Sequence, residues 1–341
     1  MTKTYLCSTA AAVLLAIAPS VAIADSLTLY CSADEAWCQQ IKTGFEAETG
    51  ITVDMTRKSS GETYAQVRAE ASNPKGDVWW GGTGDPHLQA AEEDLTEAYE
   101  SPMRAELHDW AIKQAEAADN KTIGVYSGAL GFGYNKDLLA KNGLPEPKCW
   151  ADLIKPEFKG HIQIANPNSS GTAYTMLATM VQLMGEDEGF EYMKALHKNV
   201  NQYTKSGSAP IKAAGLGETT VGIVFMHDAV AQSAAGFPIV AVAPCEGTGY
   251  EIGSMSLIKG ARNEDSAKKF YDWALTAEMQ SRAKDVKSFQ LPSNKTAAVS
   301  ELTPDLSTIK LIDYDFKKYG SSDERKRLLS KWDTEVSTLP Q

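Results

Sequence analysis

The sequence predicts an α/β protein with two lobes. From Asp25 onward, short apolar strands alternate with helices, a pattern typical of sheets flanked by helices. The chain has 341 residues, which is long enough to form two hydrophobic cores. An irregular stretch from Pro145 to Gly160, rich in proline, lies between two regions of this alternation. We therefore expect two lobes, each a sheet flanked by helices.

The elements follow from apolar patterns and from glycine, proline and serine at their ends. Strands are predicted at residues 25–31, 51–55, 77–80, 123–126, 129–134, 161–165, 200–204, 221–225 and 239–243. Helices are predicted at residues 36–49, 173–184, 189–197, 211–215, 263–283 and 323–336, and others begin at Pro86 and Ala229.

Residues 1–24 have the pattern of a secretory signal peptide. Lys3 provides the positive start, residues 10–17 are apolar, and Ala22-Ile23-Ala24 is a small-x-small cleavage site. The apolar core is too short to span a bilayer, and an uncleaved anchor is the alternative. We expect export and cleavage after Ala24.

The net charge of the chain is −11 at pH 7. An acidic balance argues against nucleic acid and anionic membrane surfaces as partners. It leaves room for a small anionic ligand, because backbone N–H groups make a pocket locally positive.

The cysteines after the leader are Cys31, Cys38, Cys149 and Cys245. An even number in an exported chain indicates two disulfides, for which three pairings exist. We favour Cys31–Cys38, which are close in sequence, and hence Cys149–Cys245. Free buried thiols are the alternative.

Several Ser/Gly turns precede predicted helices. They are Ser59-Ser60-Gly61, Gly82-Thr83-Gly84, Ser169-Ser170-Gly171-Thr172 and Ser206-Gly207-Ser208, and Ser32 follows the first strand in a similar way. Each turn presents hydroxyls and N–H groups at the positive end of a helix dipole. The alternative is ordinary helix capping. Their repetition favours an anion site, with the hydroxyls of Ser60, Ser170, Thr172 and Ser206 as donors. The further candidates for ligand binding are Gly61 and Gly171, with Ser32 and Thr83 lining the facing lobe.

His227 and Asp228 follow the apolar strand 221–225 and precede the predicted helix start at Ala229. Open α/β sheets bind ligands at such strand ends. The alternative is that Asp228 only caps the helix. Glu251, in a Gly-Thr-Gly-Tyr-Glu turn, is a third candidate.

Catalysis finds little support in the sequence. A Gly-x-Ser-x-Gly elbow, a Walker loop and a dinucleotide fingerprint are all absent from the chain. The histidines are scattered and lack the spacing of a zinc site. We therefore expect no catalytic residues, no metal ion and no cofactor.

The chain resembles the periplasmic solute-binding proteins of ABC importers, in the cluster that contains ferric-iron binders. The matching segments are Leu27-Thr-Leu-Tyr30, Phe45-Glu-Ala-Glu-Thr-Gly-Ile51, Asp77-Val-Trp79, Gly131-Phe-Gly-Tyr-Asn-Lys136, Gly171-Thr-Ala-Tyr174, Gly247-Thr-Gly-Tyr-Glu251 and Ser256-Leu-Ile-Lys-Gly260. The resemblance implies two lobes that close on a ligand, with residues 25–130 plus 242–288 in lobe 1 and 131–241 plus 289–341 in lobe 2. It also implies a periplasmic monomer that delivers its ligand to an inner-membrane permease.

The ferric binders of this cluster carry an adjacent tyrosine pair where this chain has His227 and Asp228. The replacement, together with Glu251, is similar to the hexose-phosphate-binding branch. The expected ligand is thus a sugar phosphate, with Asp228 and Glu251 accepting hydrogen bonds from sugar hydroxyls. A ferric or phosphonate receptor and a secreted phosphate-ester hydrolase are the alternatives.

Overall fold

The computed structural model describes residues 1–2 and 25–341. The predicted signal peptide, apart from residues 1–2, and its cleavage site lie outside the described residues. Among the helices that are described, none combines the length and the apolar character needed to cross a membrane.

The strands and helices follow the expected α/β alternation. The strands are β1 (Ser26–Cys31), β2 (Thr52–Arg57), β3 (Val78–Trp80), β4 (Thr96–Glu97), β5 (Ile123–Asn135), β6 (Ile162–Ala165), β7 (Val200–Thr204), β8 (Val221–Phe225), β9 (Ile239–Val242), β10 (Tyr250–Ile258) and β11 (Leu291–Pro292). The helices are α1 (Glu35–Thr49), α2 (Ser60–Ala69), α3 (Gly84–Glu92), α4 (Asp109–Ala117), α5 (Lys136–Lys141), α6 (Trp150–Leu153), α7 (Gly171–Met184), α8 (Glu186–His197), α9 (Ala209–Leu216), α10 (Met226–Ala234), α11 (Glu264–Ala274), α12 (Ala277–Ser281), α13 (Phe316–Tyr319) and α14 (Ser322–Glu335). Short 3-10 helices occupy Pro102–Glu106, Pro156–Phe158, Arg282–Val286 and Leu306–Thr308.

The strands are hydrogen-bonded in the order β2-β1-β3-β10-β5-β8-β6-β7. At one end β1 is parallel to β2 and β3, and at the other end β6 is parallel to β7 and β8. Between them β5 is antiparallel to β10 through its first half and to β8 through its second half. The strand β5 therefore belongs to both lobes.

Two hydrophobic cores confirm the two-lobed α/β fold class. One core is built on β1, β3 and α1 and contains Phe45, Trp80 and Phe270. The other is built on β6, β8 and α7 and contains Phe132 and Trp150. The lobe boundaries expected from the resemblance stay a prediction.

Two expectations about individual elements are wrong. The strands predicted at residues 123–126 and 129–134 are one strand, because the backbone at Ser127 and Gly128 continues to pair with β10 and does not turn. The helix predicted at 263–283 is interrupted after Ala274, where the Thr276 hydroxyl accepts a hydrogen bond from Met279 N and starts α12.

The structure joins Cys31 to Cys38 and Cys149 to Cys245, which is the pairing favoured above. Cys31 and Cys38 are fully buried. Cys245, in contrast, is exposed. The sulfur atoms of Cys149 and Cys245 also lie within 4.8 Å of a Glu246 carboxylate oxygen, but the disulfide removes them as metal ligands.

Mild reduction of the native protein should open Cys149–Cys245 before Cys31–Cys38. Thiol–disulfide exchange requires the attacking thiolate to reach a sulfur atom. Of the two disulfides, only Cys149–Cys245 has an exposed cysteine. Alkylation after timed exposure to dithiothreitol, followed by peptide mass spectrometry, measures the order. Labelling of Cys31 and Cys38 at the same rate as Cys149 and Cys245 would contradict this expectation.

Candidate functional site

A cavity lies between the two lobes, at the carboxyl ends of several strands. Its interior leaves about 50 Å³ for the centres of water-sized atoms. Ser32 follows β1 and Thr83 follows β3, whereas Ser170 follows β6 and Ser206 follows β7. Both lobes thus contribute to the cavity, at the edge where α/β sheets bind ligands.

Six helices begin at this cavity. Their N-cap residues all line it: Asp34 of α1, Ser59 of α2, Thr83 of α3, Ser170 of α7, Ser208 of α9 and Phe225 of α10. Each helix start has backbone N–H groups without an intrahelical acceptor and carries partial positive charge. Their convergence favours an anion here although the whole chain is acidic.

One part of the cavity wall, the hydroxyl end, is named for its side chains and consists of Arg57, Ser60, Thr83, Ser170, Thr172 and Ser206. The Thr83 N–H donates to Ser60 Oγ at 3.2 Å, and Arg57 Nη2 donates to Ser206 Oγ at 3.1 Å. Thr83 Oγ1 is buried and has no hydrogen-bond partner among the described residues. This end therefore combines a cation, hydroxyls and helix N-termini.

A second part of the wall, the acidic end, consists of Asp34, His227, Asp228 and Glu251. It adjoins the first part, since Arg57 Nε donates to Ala33 O next to Asp34 at 3.0 Å. His227 Nε2 lies 3.7 Å from Asp228 Oδ1 and 3.8 Å from Glu251 Oε1. His227, Asp228 and Glu251 are 5%, 9% and 4% exposed. Asp34 Oδ1 accepts hydrogen bonds of 2.8 Å from Ser208 Oγ and Lys212 Nζ. This end is rich in acceptors.

Burial controls the protonation of the acidic end. It raises the pKa of Glu251 well above its usual range, and the charges of Asp228 and Asp85 add to the rise. Burial and the charge of Asp34 likewise raise the pKa of Asp228. Burial lowers the pKa of His227 to about 4, although the charge of Asp34 opposes the change. His227 is therefore neutral at pH 7.

Asp34 behaves differently from its neighbour Asp228. Burial favours the protonated form of Asp34, but the charge of Lys212 and the hydrogen bonds from Lys212 and Ser208 outweigh it and lower the pKa. A proton shared by the two carboxyl groups consequently resides on Asp228.

The lobes touch each other around the cavity. Gly61 N donates to Ser169 O at 3.0 Å, and Ser59 Oγ donates to Lys205 O at 3.0 Å. A Cβ on Gly171 would lie only 2.9 Å from Thr83 Cβ. The structure is thus a closed form in which helix starts of one lobe abut turns of the other.

The comparisons with known proteins identify the family. Residues 83–318 match the family of bacterial extracellular solute-binding proteins. The chain belongs to this family. It is a periplasmic solute-binding protein of an ABC importer, which confirms the resemblance seen in the sequence.

Three relatives are informative. The solved periplasmic binding protein AfuA of Actinobacillus pleuropneumoniae, with exogenous fructose 6-phosphate bound, is 48% identical with a TM-score of 0.90, over 92% of this chain and 99% of that one. An uncharacterized protein of Haemophilus influenzae is 47% identical over 94% of each chain. A putative 2-aminoethylphosphonate-binding periplasmic protein of Salmonella typhimurium is 27% identical over 84% of this chain and 81% of its own.

The structure places ten residues expected at the solute site in the wall of the cavity. These are Ser32, Ser60, Thr83, Ser170, Gly171, Thr172, Ser206, His227, Asp228 and Glu251. Gly61 lies outside the lining, at the contact between the lobes, where a Cβ would lie 2.6 Å from Asn168 O. Gly61 is therefore placed to influence closing of the binding protein and does not face the cavity.

Sequence reasoning missed Asp34, Arg57, Ser59, Tyr126, Gly207, Ser208 and Gln290, which also line the cavity. Asp34 and Arg57 stand at the ends of β1 and β2, so their position after a strand could have marked them. Tyr126 and Gln290 carry no comparable signal, because pairing between segments distant in sequence, β5 with β10 and with β11, brings these parts of the chain together.

The helix after β8 begins earlier than predicted. It starts at Met226 with Phe225 as its N-cap residue, because the chain turns directly at the end of the strand. His227 and Asp228 therefore occupy the first helical turn, and the interpretation of Asp228 as the N-cap residue is wrong. From the first turn, both side chains line the cavity.

A buried histidine supports the turn that carries Thr83. His87 is fully buried, stacks on Trp79 with ring centroids 3.7 Å apart, and hydrogen-bonds through its ring nitrogens to Ser256 Oγ at 2.8 Å and Gly81 O at 3.1 Å. Burial lowers the pKa of His87 to about 3.

The folded protein should lose stability as the pH falls from 6.5 towards 4, partly through His87. Because the pKa of His87 is lower in the folded protein, the unfolded chain binds a proton at a higher pH than the folded one does. Through His87, the free energy of unfolding therefore falls by about 1.4 kcal/mol for each pH unit in this range. His87→Gln should be less stable at pH 7.5 but less acid-sensitive, as measured by urea unfolding. His108→Gln is the matched control. An unchanged pH slope in His87→Gln would contradict the assignment.

Proposed function

We propose that this solute-binding protein captures a hexose phosphate between its lobes and delivers it, as a monomer, to an inner-membrane ABC permease. The observation that carries the proposal is that one cavity combines hydroxyl groups and a guanidinium with buried carboxyl groups. A sugar phosphate calls for both, since its phosphate needs donors and its hydroxyls also need acceptors.

The hydroxyl end suits the phosphate group. Ser170, Thr172 and Ser206 supply hydroxyl donors, and Arg57 supplies a guanidinium that binds phosphate oxygens well. The starts of α2, α3 and α7 add N–H groups and partial positive charge.

The acidic end suits the sugar. Asp228 and Glu251 accept hydrogen bonds from neighbouring hydroxyls, and neutral His227 has one nitrogen that donates and one that accepts. His227 Nδ1 lacks a hydrogen-bond partner among the described residues. That nitrogen lies against Gly128 of β5, whereas Nε2 lies beside the carboxyl groups of Asp228 and Glu251.

The relatives support this ligand class and one alternative. The structure of AfuA contains fructose 6-phosphate, and the similarity to the Salmonella protein favours a phosphonate as the second candidate. Ferric binding has less support, since the resemblance puts His227 and Asp228 where ferric binders have tyrosines. Hydrolysis also has less support, because no serine hydroxyl in the described part of the chain hydrogen-bonds to His227.

Isothermal titration should show binding of glucose 6-phosphate or fructose 6-phosphate with Kd in the micromolar range or tighter, about −8 kcal/mol. Inorganic phosphate should bind more weakly, because it leaves the acidic end without a partner. Parallel titrations use 2-aminoethylphosphonate and ferric citrate, and p-nitrophenyl phosphate tests for turnover. Binding of ferric citrate or the phosphonate without any sugar phosphate would overturn the proposal, as would turnover.

Closing should contribute to affinity separately from contacts with the ligand. Gly61→Ala brings a methyl group against backbone oxygens of the opposite lobe, so the closed state becomes less favourable. We expect affinity for the sugar phosphate to fall about tenfold or more, with an unchanged melting temperature in the absence of ligand.

Gly44→Ala is the matched control for Gly61→Ala. It adds the same methyl group to α1 of the same lobe, where the nearest atom is the flexible end of Arg282 at 3.0 Å. Small-angle scattering with saturating ligand reports closing directly. Equal affinities of the two variants would show that the Gly61 contact does not limit closing.

A further inference from the structure

The segment that joins β7 to α9 lies between the cavity and solvent. We call residues 205–212 of this segment the strap. Residues 206–208 in its middle line the cavity, whereas Lys205 and Lys212 at its two ends are exposed. One turn of chain therefore separates this part of the cavity from solvent, and lifting of the strap would open the cavity.

The strap is held on the lobe that contains β6, β7 and β8. Ser169 Oγ, at the end of the turn that precedes α7, donates to Lys205 O at 3.1 Å. A Cβ on Gly207 would lie 2.8 Å from Thr172 Cβ, so the glycine allows the strap to pack closely against the start of α7. The strap consequently moves together with this lobe when the protein opens and closes.

Hydrogen bonds also join the strap to the opposite lobe, and each lobe contributes donors. Arg57 Nη2, at the end of β2, donates to Ser206 Oγ at 3.1 Å. Ser208 Oγ and Lys212 Nζ both donate to Asp34 Oδ1 at 2.8 Å. These contacts are made by protein groups alone, so they stabilise the closed form whichever solute it contains.

The ion pair between Lys212 and Asp34 is placed outside the reach of a solute. Lys212 does not line the cavity, and its side chain is 46% exposed, compared with 26% for that of Asp34. Burial favours the protonated form of Asp34, but Lys212 and Ser208 outweigh it and lower the pKa, so the carboxyl group is ionised at pH 7. Without Lys212, closing would enclose this charge without the cation that bonds to it, which is unfavourable.

We propose that the strap is the release gate of the cavity and that Lys212 is the positioning residue that holds it shut. Bonded to Asp34, Lys212 keeps the strap on the opposite lobe and slows the escape of the bound solute. The proposal rests on the cavity being the solute site, and not on which solute it holds. The contribution of Lys212 therefore lies in the lifetime of the closed form and not in contacts with the solute.

Lys212→Met keeps most of the length of the side chain and removes its charge. With glucose 6-phosphate as the probe, rapid-mixing fluorescence should show an off-rate about fivefold higher than in the native protein, the upper range for a partly exposed ion pair. The association rate should change little. Raising NaCl from about 50 to about 500 mM should increase the native off-rate by screening the pair, and less so in Lys212→Met.

Lys155→Met is the matched control. Lys155 Nζ lies 2.6 Å from Asp152 Oδ1, and the two side chains are 49% and 20% exposed, but both belong to the lobe that carries the strap. This variant also loses one partly exposed ion pair, and its off-rate should equal that of the native protein. Melting temperatures without ligand establish that both variants fold.

A second measurement needs no solute. The Gly61 amide lies in the first turn of α2, where it has no intrahelical acceptor, and donates to Ser169 O of the opposite lobe at 3.0 Å. Its hydrogen exchange therefore reports on closing. In the ligand-free protein this amide should exchange faster in Lys212→Met than in Lys155→Met.

Equal off-rates of the two variants would overturn the proposal. A slower association with an unchanged off-rate in Lys212→Met would also overturn it, because Lys212 would then only steer an anionic solute to the cavity. Failure of glucose 6-phosphate to bind the native protein would count against the proposed function instead. The Gly61 amide then decides, since equal exchange in the two variants would overturn the role of Lys212 and faster exchange in Lys212→Met would support it.

Discussion

The convergence of helix starts on one cavity is the constraint on which the site depends. Backbone N–H groups at the starts of α1, α2, α3, α7, α9 and α10 point to the same small volume, so the positive potential there comes from the fold and needs few basic side chains. An acidic chain can for this reason hold an anion. The side chains can therefore supply hydrogen-bond acceptors, which are the carboxyl groups of Asp228 and Glu251.

The strand β5 places that cavity. Its first half pairs with β10 in one lobe and its second half with β8 in the other, so the two sheets share one backbone. Glu251 on β10 pairs with Gly128 on β5, and a Cβ at Gly128 would lie 3.0 Å from His227 Cε1. The glycine lets the α10 side chain approach the strand, which brings histidine and glutamate together although they belong to separate elements.

Much of this arrangement could be predicted from local patterns. The Ser/Gly turns and the pair His227-Asp228 were visible because each follows an apolar strand and precedes a helix. Tyr126 and Gln290 were not, because long-range pairing brings them to the site. The continuity of β5 could not be predicted either. Ser127 and Gly128 resemble a turn in sequence, and it is their pairing with β10 that keeps the backbone extended. Gly61 lies next to the cavity but packs against the opposite lobe, which the sequence could not show because it does not reveal which surface a helix start faces.

In the closed form, the distance between the lobes is set by direct contacts between the lobes. Where Gly61 meets Asn168 and Gly171 meets Thr83, the lobes reach a hard stop of backbone and small side chains. These contacts fix a minimum separation between the two lobes. A solute that is shorter than this separation cannot bond to both lobes at once. A longer solute prevents the lobes from making these contacts. Discrimination between solutes by length therefore depends on Gly61, Gly171 and Thr83, in addition to the hydrogen bonds that the cavity residues make.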